Sequence, residues 1–364
     1  MRVLFQGLLA GNRSGTGRYS VELVHNLARL EDGPEMVCLW PDGSAAPKAD
    51  EKIQVIPCRP GFINRFYREQ ISPSKGAKKY GAALIHYPAS VAGISRFCPV
   101  VVTVHDLCYK VHPEWFPTSR VLYYNFFMDR GIRGAARVIA DSQATAEDIR
   151  HFYKIPESRI DVVPLGVDAA FHPIPEKERK DLLAAYTLPE TFFLFVGTLE
   201  PRKNLLRLLE AWARAGTAVP DLVVAGRVGW KVDPEKLIGR SLDHQRVHFL
   251  DHVPQALLPA LYSEAVAFVW PSLMEGFGLP LVEAMACGTP VITSNISAMK
   301  EVVGDAALTV APHDIAALAE AMVALAEEDG LRYSLQQAGL KRAAAFSWQR
   351  TAALTWSVYQ KAGV

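Results

Sequence analysis

The chain contains 364 residues, half of them hydrophobic and 21% of them charged, and its formal net charge is +1. This composition is typical of a soluble globular protein, and the near-zero net charge excludes a chain-wide nucleic-acid-binding surface. The five cysteines are scattered and include no Cys-x-x-Cys pair, which argues against a zinc site or a disulfide framework and favours a reducing cytoplasm. No apolar run reaches the roughly 18–20 residues of a membrane span. The length suits two domains of about 150–190 residues.

Short apolar runs rich in β-branched residues alternate with longer stretches of helical periodicity. The runs that predict strands are Val3–Phe5, Val37–Trp40, Gln54–Ile56, Leu84–His86, Val100–Val104, Arg137–Ala140, Ile160–Val163, Phe192–Val196, Leu222–Ala225, Val247–Leu250, Ala267–Trp270, Val291–Thr293 and Ala307–Val310. Helical patterns fill most of the gaps, as in Tyr19–Leu30 and Leu205–Ala215. This alternation predicts an α/β protein with parallel sheets that are covered by helices on both faces.

The alternation is interrupted once, between Phe171 and Pro189, where proline and charged residues are frequent and a new strand follows directly. We therefore predict domains of residues 1–172 and 173–345, followed by a helical tail of residues 346–364. Each domain is expected to be a doubly wound, Rossmann-like sheet, and the ligands of such sheets bind beyond the carboxyl ends of the strands. Two such edges facing each other across a hinge would form a cleft.

The segment from Glu275 to Glu283 places two carboxylates eight positions apart. Glu275 is predicted in a loop, whereas Pro280 suits the first position of a helix and would place Glu283 in its first turn. Backbone N–H groups between the two acids can bind phosphate without a basic side chain. The residues that would offer these groups are Gly276, Phe277, Gly278 and Leu279. A phosphate site with a carboxylate at each end fits a nucleotide-sugar; the alternative is a glycine turn, a capped helix and two solvated glutamates.

Two other loops carry polar residues directly after predicted strands. Arg202 and Lys203 follow the strand Phe192–Val196, and such a cationic pair at the carboxyl edge of a sheet can meet a pyrophosphate. His105 follows the strand Val100–Val104 and therefore also lies at a ligand-binding edge. The alternatives are a solvated cationic pair and a structural histidine whose hydrogen bonds are satisfied.

The glycine-rich segment Gly11–Gly17 lies between the first predicted strand and the first predicted helix. It is only loosely similar to a dinucleotide-binding loop, and no acidic residue ends a second strand about 20 residues on, which argues against a nicotinamide cofactor. We expect Gly15 and Gly17 to approach the phosphates of the nucleotide-sugar or a second substrate that accepts the sugar, with Arg13 or Arg18 adding charge. A flexible surface turn is the alternative.

The runs EGFGLPLVEAMACGTPVI, Glu275–Ile292, and VGTLEPRKNL, Val196–Leu205, closely resemble motifs of the retaining GT-B glycosyltransferases of group one, which use nucleotide-diphospho-sugars. The resemblance covers nearly the whole chain and is weakest between Trp40 and Lys79. It implies a GT-B fold of two Rossmann-like domains and a C-terminal tail that crosses back to the first domain.

The resemblance also implies roles for individual residues. The carboxylate of Glu275 would contact the donor sugar close to the reacting carbon, and Glu283 would hold the ribose hydroxyls. Lys203 first, and Arg202 second, would neutralise charge on the leaving diphosphate. His105 would contact the donor sugar near the anomeric carbon.

Two further positions follow from the resemblance together with their place after predicted strands. Gly226 and Val253 would flank the nucleotide base, with backbone groups of Val253 reading it. The chain departs from the family pattern at Thr198, where many relatives carry an arginine directly after the glycine. This departure leaves the equivalence of Arg202 open.

The resemblance implies transfer of a hexose from a nucleotide-diphospho-sugar to a glycan or lipid-linked hydroxyl, as in polysaccharide or O-antigen assembly. Mannose or a related sugar carried by GDP is favoured, and a UDP-hexose is the alternative. Anomeric configuration would be retained, with the leaving phosphate taking the acceptor proton. No metal or other cofactor is expected, because the chain has no Asp-x-Asp motif. The other classes considered are an epimerase of the same architecture, which lacks this glutamate arrangement, and a non-catalytic nucleotide-sugar-binding protein.

Two aromatic segments bear on membrane contact. Residues 62–79 combine aromatic and basic residues. This pattern is typical of an interfacial patch that binds anionic lipid, or of an amphipathic helix whose aromatic residues lie in the core. The run Tyr123–Met128 is interpreted as packing. The expected location is the cytoplasm, with peripheral contact at the inner face of the membrane as one interpretation.

Overall fold

The computed structural model of the chain describes residues 1–8, 15–44, 46–49, 51–58, 72–89, 91–93, 97–230 and 245–363. It divides into two compact units: Met1–Gly166 together with Ser347–Val364, and Val167–Phe346. No helix among the described residues is long and apolar enough to cross a membrane.

In the described part of the first unit, seven parallel strands form one sheet. They are β1 Arg2–Gln6, β2 Glu35–Pro41, β3 Ile53–Cys58, β4 Leu84–Tyr87, β5 Val100–Val104, β6 Arg137–Ala140 and β7 Ile160–Val162. Their order in the sheet is β3-β2-β1-β4-β5-β6-β7. Every residue of β4 and β5 is buried, as expected for a parallel sheet that is covered on both faces.

The described helices that precede β7 are α1 Gly15–Ala28, α2 Ser72–Tyr80, α3 Cys108–Val111, α4 Thr118–Gly134 and α5 Gln143–Tyr153. The prediction that Gly15 and Gly17 lie in a loop is wrong, because both lie in the first turn of α1 and Gly17 is buried. The hydroxyl of Ser20 donates to the carbonyl of Thr16, which supports this early turn. Glycine accepts helical as well as turn geometry, so its presence did not mark the helix start. The remaining part of that loop, residues 11–14, lies outside the described residues.

In the described part of the second unit, six parallel strands form the other sheet. They are β8 Phe192–Val196, β9 Asp221–Ala225, β10 Val247–Leu250, β11 Ala267–Trp270, β12 Val291–Ser294 and β13 Leu308–Val310, in the order β10-β9-β8-β11-β12-β13. Its described helices are α6 Glu176–Leu183, α7 Leu205–Ala215, α8 Leu258–Glu264, α9 Leu279–Ala286, α10 Ser297–Val303, α11 Ile315–Glu327 and α12 Asp329–Ala343. The prediction of two parallel α/β sheets is confirmed.

The start of α9 differs from the prediction by one residue. Gly278 has a φ of 100° and stands directly before the helix, so Leu279 is the first helical residue and Pro280 the second. This left-handed conformation favours glycine and closes the preceding turn. Glu283 consequently lies beyond the first turn, and the prediction that placed it within that turn is wrong.

The last helix, α13 Trp348–Ala362, belongs to the first unit although the whole second unit separates it in sequence. Its start is capped by the Ser347 hydroxyl, which accepts from the Arg350 backbone N–H. The Thr351 hydroxyl donates to the carbonyl of Pro164 at 2.8 Å. Further along the helix, the Tyr359 hydroxyl lies 2.6 Å from His86 Nδ1, so a buried hydrogen bond joins this helix to the first sheet.

The structure describes the two aromatic segments, residues 62–79 and Tyr123–Met128, to different extents. Residues 62–71 lie outside the described residues, and the basic side chains that follow them lie on α2. The run Tyr123–Met128 lies within α4, where Met128 is buried and Tyr124 packs edge-on against Tyr109 with 5.3 Å between ring centroids. Phe126 of the same run is 58% exposed.

Candidate active site

The second sheet reverses its direction of growth between β8 and β11. From β8 the chain builds β9 and β10 on one side, then returns to build β11, β12 and β13 on the other. The loops after β8 and β11 therefore diverge at a topological switch point, the place where open α/β sheets bind ligands. Arg202 and Lys203 lie in the first loop and Glu275 in the second, and the structure brings their side chains into contact.

Glu275 is the centre of a buried ion-pair cluster. Lys203 Nζ lies 2.6 Å from Glu275 Oε1, and the two side chains are 8% and 7% exposed. The guanidinium of Arg202 donates to the other carboxylate oxygen. The hydroxyl of Ser272 donates to Oε1 at 2.6 Å, and the hydroxyl of Ser297 donates to the Glu275 backbone carbonyl at 2.9 Å. Both oxygens of the carboxylate are thus held in fixed directions.

A second carboxylate in this cluster was not predicted from the sequence. Glu200 is buried and accepts from Nε of Arg202. Two cations therefore face two carboxylates, and the cluster is neutral as it stands. Glu200 lies within the run VGTLEPRKNL, but its own side chain gave no sequence signal beyond standing two residues before the arginine.

The pKa values of this cluster reflect burial and charge acting together. Burial alone raises the pKa of Glu275, but Arg202 and Lys203 outweigh it, and the net pKa is lowered. Burial and the nearby guanidinium of Arg202 lower the pKa of Lys203, against the opposing influence of Glu275. Glu275 is therefore ionised at neutral pH, and Lys203 lies beside this counter-ion in a poorly solvated place.

A tight turn presents the cationic pair. Residues Pro201–Lys203 form a single 3-10 turn, and Asn204 closes it in the left-handed conformation with a φ of 59°. The amide of Asn204 donates to the carbonyls of Pro271 and Pro312 at 2.9 and 2.7 Å. Asn204 thereby fixes the turn to the loops that follow β11 and β13.

Glu283 is the fifth residue of α9, and it is buried. The hydroxyl of Tyr262 donates to Glu283 Oε2 at 3.3 Å. Gly276, Phe277, Gly278 and Leu279 form the connection from Glu275 to this helix, and the ring of Phe277 packs edge-on against Phe346. The Phe277 side chain is therefore part of the core, which leaves its backbone as the group available for a ligand.

Gly226 and Val253 follow β9 and β10 at the same edge of the second sheet. A Cβ on Gly226 would lie 1.9 Å from the carbonyl oxygen of Gly197, so this position cannot hold a side chain. The Gly226 N–H donates to the carbonyl of Leu250 at 3.0 Å. Gly226 therefore lets two carboxyl-edge loops approach each other closely, and Val253 is buried nearby in sequence after β10.

In the first unit, His105 is bonded from both sides by residues that follow neighbouring strands. Its Nδ1 lies 2.6 Å from the carboxylate of Asp141, which follows β6, and its Nε2 lies 2.9 Å from the carbonyl of Pro88, which follows β4. A carbonyl can only accept, so Nε2 carries a proton. Asp141 was not predicted, although its place directly after a buried strand is the same signal that identified His105.

The pKa values of this pair are governed by burial and by the ion pair. Burial lowers the pKa of His105, but the Asp141 carboxylate, the charge of Asp106 and the Pro88 carbonyl outweigh it, and the net pKa is raised. Burial raises the pKa of Asp141, opposed by His105.

The ring of Tyr19 lies edge-on to the imidazole of His105 with 4.9 Å between centroids. A hydrogen-bond chain then runs from the Tyr19 hydroxyl through Thr103 to His86.

Comparison with known proteins identifies the family. The Glycosyltransferase Family 4 description matches residues 13–171, and the Glycosyl transferases group 1 description matches residues 178–342. The O-antigen chain mannosyltransferase B of Escherichia coli is 30% identical over 367 residues, covering 95% of this chain and 96% of that relative. The chain belongs to the group 1 glycosyltransferases.

Solved structures show the fold of this glycosyltransferase. The sucrose-phosphate synthase of Thermosynechococcus elongatus matches with a TM-score of 0.80 and 23% identity, over 99% of this chain and 98% of that one. HepE of Anabaena, solved in complex with UDP and glucose, matches with a TM-score of 0.77 and 18% identity, over 99% of both chains. The predicted GT-B fold, with two Rossmann-like α/β domains, is confirmed.

Within the residues that the structure describes, no three side chains of His, Cys, Asp or Glu are grouped as metal ligands would be. The five cysteines, all within the described ranges, are free thiols.

We expect the substitution Asp141→Asn to lower the pKa of His105, because it removes the carboxylate that stabilises the imidazolium. The pKa of His105 in the folded protein is raised, so its contribution to the free energy of unfolding is complete below the ordinary 6.5 and is lost as pH rises through the raised value. NMR titration of the His105 ring measures the change, and urea unfolding below pH 6.5 and above the titration midpoint found by NMR measures its consequence.

Glu114→Gln is the matched control for this prediction. It removes the partner of an exposed histidine, His112, in the same unit of the glycosyltransferase. We expect it to leave the titration of His105 unchanged. An unchanged pKa of His105 in Asp141→Asn would contradict the assignment of Asp141 as its counter-ion.

Proposed function

We propose that this glycosyltransferase moves a hexose, with mannose favoured, from a nucleotide-diphospho-sugar to a hydroxyl of a glycan or lipid-linked acceptor. The observation that carries the proposal is the buried cluster of Arg202, Lys203 and Glu275 at the switch point of the second sheet. The likeness to an O-antigen mannosyltransferase over 95% of the chain favours mannose.

The proposed donor site divides the work among three groups. Lys203 and Arg202 offset the charge that develops on the leaving diphosphate, and backbone N–H groups of Gly276, Phe277, Gly278 and Leu279 bind its oxygens. Glu275 accepts from hydroxyls of the transferred sugar close to the reacting carbon. Glu283 accepts from the vicinal ribose hydroxyls. Gly226 and Val253 flank the base.

The bonding of His105 supports retention without a protein general base. A general base needs a ring nitrogen with a free lone pair, within hydrogen-bond reach of the acceptor hydroxyl. In His105, Nε2 donates to a carbonyl and Nδ1 is engaged by a carboxylate, so neither nitrogen is available in this arrangement. We propose that the leaving phosphate takes the acceptor proton on the same face of the sugar, and that His105 contacts the transferred sugar through its backbone or the edge of its ring.

We also propose that no metal ion takes part. The two cations, together with the N-terminus of α9, supply positive charge where a divalent cation would otherwise act. Activity that survives EDTA unchanged would support this proposal, and activity that requires added Mg²⁺ or Mn²⁺ would overturn it.

A donor panel tests the proposed function. The purified protein is incubated with GDP-mannose, UDP-glucose, UDP-galactose and UDP-N-acetylglucosamine, and the release of free nucleotide is followed with and without simple acceptors. We expect slow hydrolytic release from one donor only, and GDP-mannose is the favoured donor. The nucleoside diphosphate that carries the same base as this donor should also bind to the protein. Protein that binds no nucleoside diphosphate and releases none would overturn the proposal and favour a non-catalytic role.

The proposed place of action is the cytoplasm, at the inner face of a membrane that presents the acceptor. Two exposed apolar side chains on α4, Leu122 and Phe126, support peripheral contact. Sedimentation of the protein with anionic phospholipid vesicles tests this contact. Association of the protein with the vesicles supports the contact, and a protein that stays in the supernatant argues against it.

A further inference from the structure

Trp270 is the last residue of β11, and its indole lies under the proposed diphosphate site. The residue is 1% exposed. The ammonium of Lys203 lies over its face, with Nζ 4.2 Å from the ring centroid. Because tryptophan binds cations on its face more strongly than the other aromatic side chains, this contact can hold the lysine in place.

The indole also separates two glycine turns. A Cβ on Gly197 would lie 3.7 Å from Nε1 of Trp270, and a Cβ on Gly278 would lie 3.4 Å from Cζ3, on the other edge of the ring. Gly197 precedes the loop that carries Lys203, and Gly278 precedes α9. The width of one indole therefore sets the spacing between the two backbone turns that are proposed to meet the phosphates.

The edge that faces Gly197 carries an unused donor. Among the residues that the structure describes, Trp270 Nε1 has no hydrogen-bond partner, although this atom is buried. Buried indole N–H groups almost always have a partner, so an unsatisfied one beside a proposed ligand site needs an explanation. This unsatisfied donor faces the Gly197 turn, which leads into the loop that carries Lys203.

We infer that Trp270 is a positioning residue that holds Lys203 and spaces the two glycine turns, so that the site selects nucleoside diphosphates over monophosphates. The inference rests on the proposed function. It extends that function to a residue that itself has no charge and that sequence reasoning passed over as a buried strand end. The selectivity arises because a monophosphate does not reach the position that Lys203 occupies.

Isothermal titration with GDP and GMP, and in parallel with UDP and UMP, tests the inference. Trp270→Leu removes the ring face and the N–H, and we expect it to weaken diphosphate binding roughly tenfold while monophosphate binding changes less than about twofold. Trp270→Phe keeps a weaker ring face and fills most of the same space. It should show a smaller loss in the same direction, and it keeps the test valid if the leucine variant does not fold.

The chain offers a matched control in Trp212. This tryptophan is also buried in the second unit and also lies under a cation, with the guanidinium of Arg246 5.0 Å from its ring centroid, but its Nε1 donates to the carbonyl of Pro220. It packs near the start of β9 and β10, at the edge opposite the site. Trp212→Phe should leave the ratio of diphosphate to monophosphate affinity unchanged.

The outcomes separate the inference from the function on which it rests. Equal losses for diphosphate and monophosphate in both Trp270 variants would show a merely structural role and overturn the inference, with the donor assignment intact. The same change of ratio in Trp212→Phe would overturn it as well. Wild-type protein that binds neither GDP nor UDP would overturn both the inference and the proposed function.

Discussion

Glu275→Gln is expected to lower kcat at least about a hundredfold, within the range seen when one electrostatic contact to a transition state is removed. The substitution keeps the shape of the side chain but removes the charge that balances Lys203 and Arg202. Glutamine also cannot accept in both directions in which the carboxylate now accepts. The affinity for nucleoside diphosphate should persist, because the two cations then have fewer competing anions.

Steady-state release of nucleotide and titration with the diphosphate measure these two effects separately. The matched control is Glu264→Gln, which breaks an ion pair with Arg179 in the same unit, away from the cluster. We expect it to reduce stability modestly and to leave kcat unchanged. Normal transfer by Glu275→Gln would refute the assignment of this residue to the reaction.

Lys203→Met is expected to lower kcat/KM by about a hundredfold to a thousandfold, since it removes one of the two charges that face the leaving diphosphate. It should also weaken binding of the diphosphate, unlike Glu275→Gln. The variant leaves Glu275 buried with Arg202 and Ser272 as remaining partners. Its loss of stability should therefore be smaller than the about 3–5 kcal/mol that is typical when a buried ion pair loses its only partner.

The control for this prediction is Lys180→Met, which removes a lysine of the same unit from an exposed i,i+4 pair with Glu176. Surface pairs of this kind contribute little, so catalysis and folding should both be unaffected. Diphosphate affinity of the wild-type level in Lys203→Met would contradict the role of Lys203. An equal loss in Lys180→Met would attribute the effect to net charge rather than to position.

The strands could be predicted from the sequence because their signal is local. Buried parallel strands appear as continuous apolar runs, and all thirteen predicted runs overlap strands of the structure. The helix Leu205–Ala215 was predicted at its exact bounds because its apolar residues recur with helical period. The helix α9 begins one residue earlier than predicted. The left-handed conformation of Gly278, which sets this start, could not be inferred from the sequence.

The partners of the site residues could not be predicted in the same way. Glu200, Asp141 and Trp270 each act on a site residue through a contact that depends on how strands and loops are arranged in space. Asp141 stands 36 positions from His105, and their contact exists only because β5 and β6 are neighbours in the sheet. The sequence position of an acidic residue or a tryptophan does not show which side chain it will contact in the folded protein.

The sequence by itself determined the α/β class, the strand positions and the residues Glu275, Lys203, Arg202 and His105 as a group at the carboxyl edges of strands. It could do so because apolar runs and the loops after them are consecutive in the chain. The tertiary structure alone decided the strand order, which sets the switch point between β8 and β11. It also decided that Gly15 and Gly17 are helical and that the cationic pair is balanced by two buried carboxylates. These features depend on contacts between distant segments, and the free energy of such contacts is fixed only when the chain has folded.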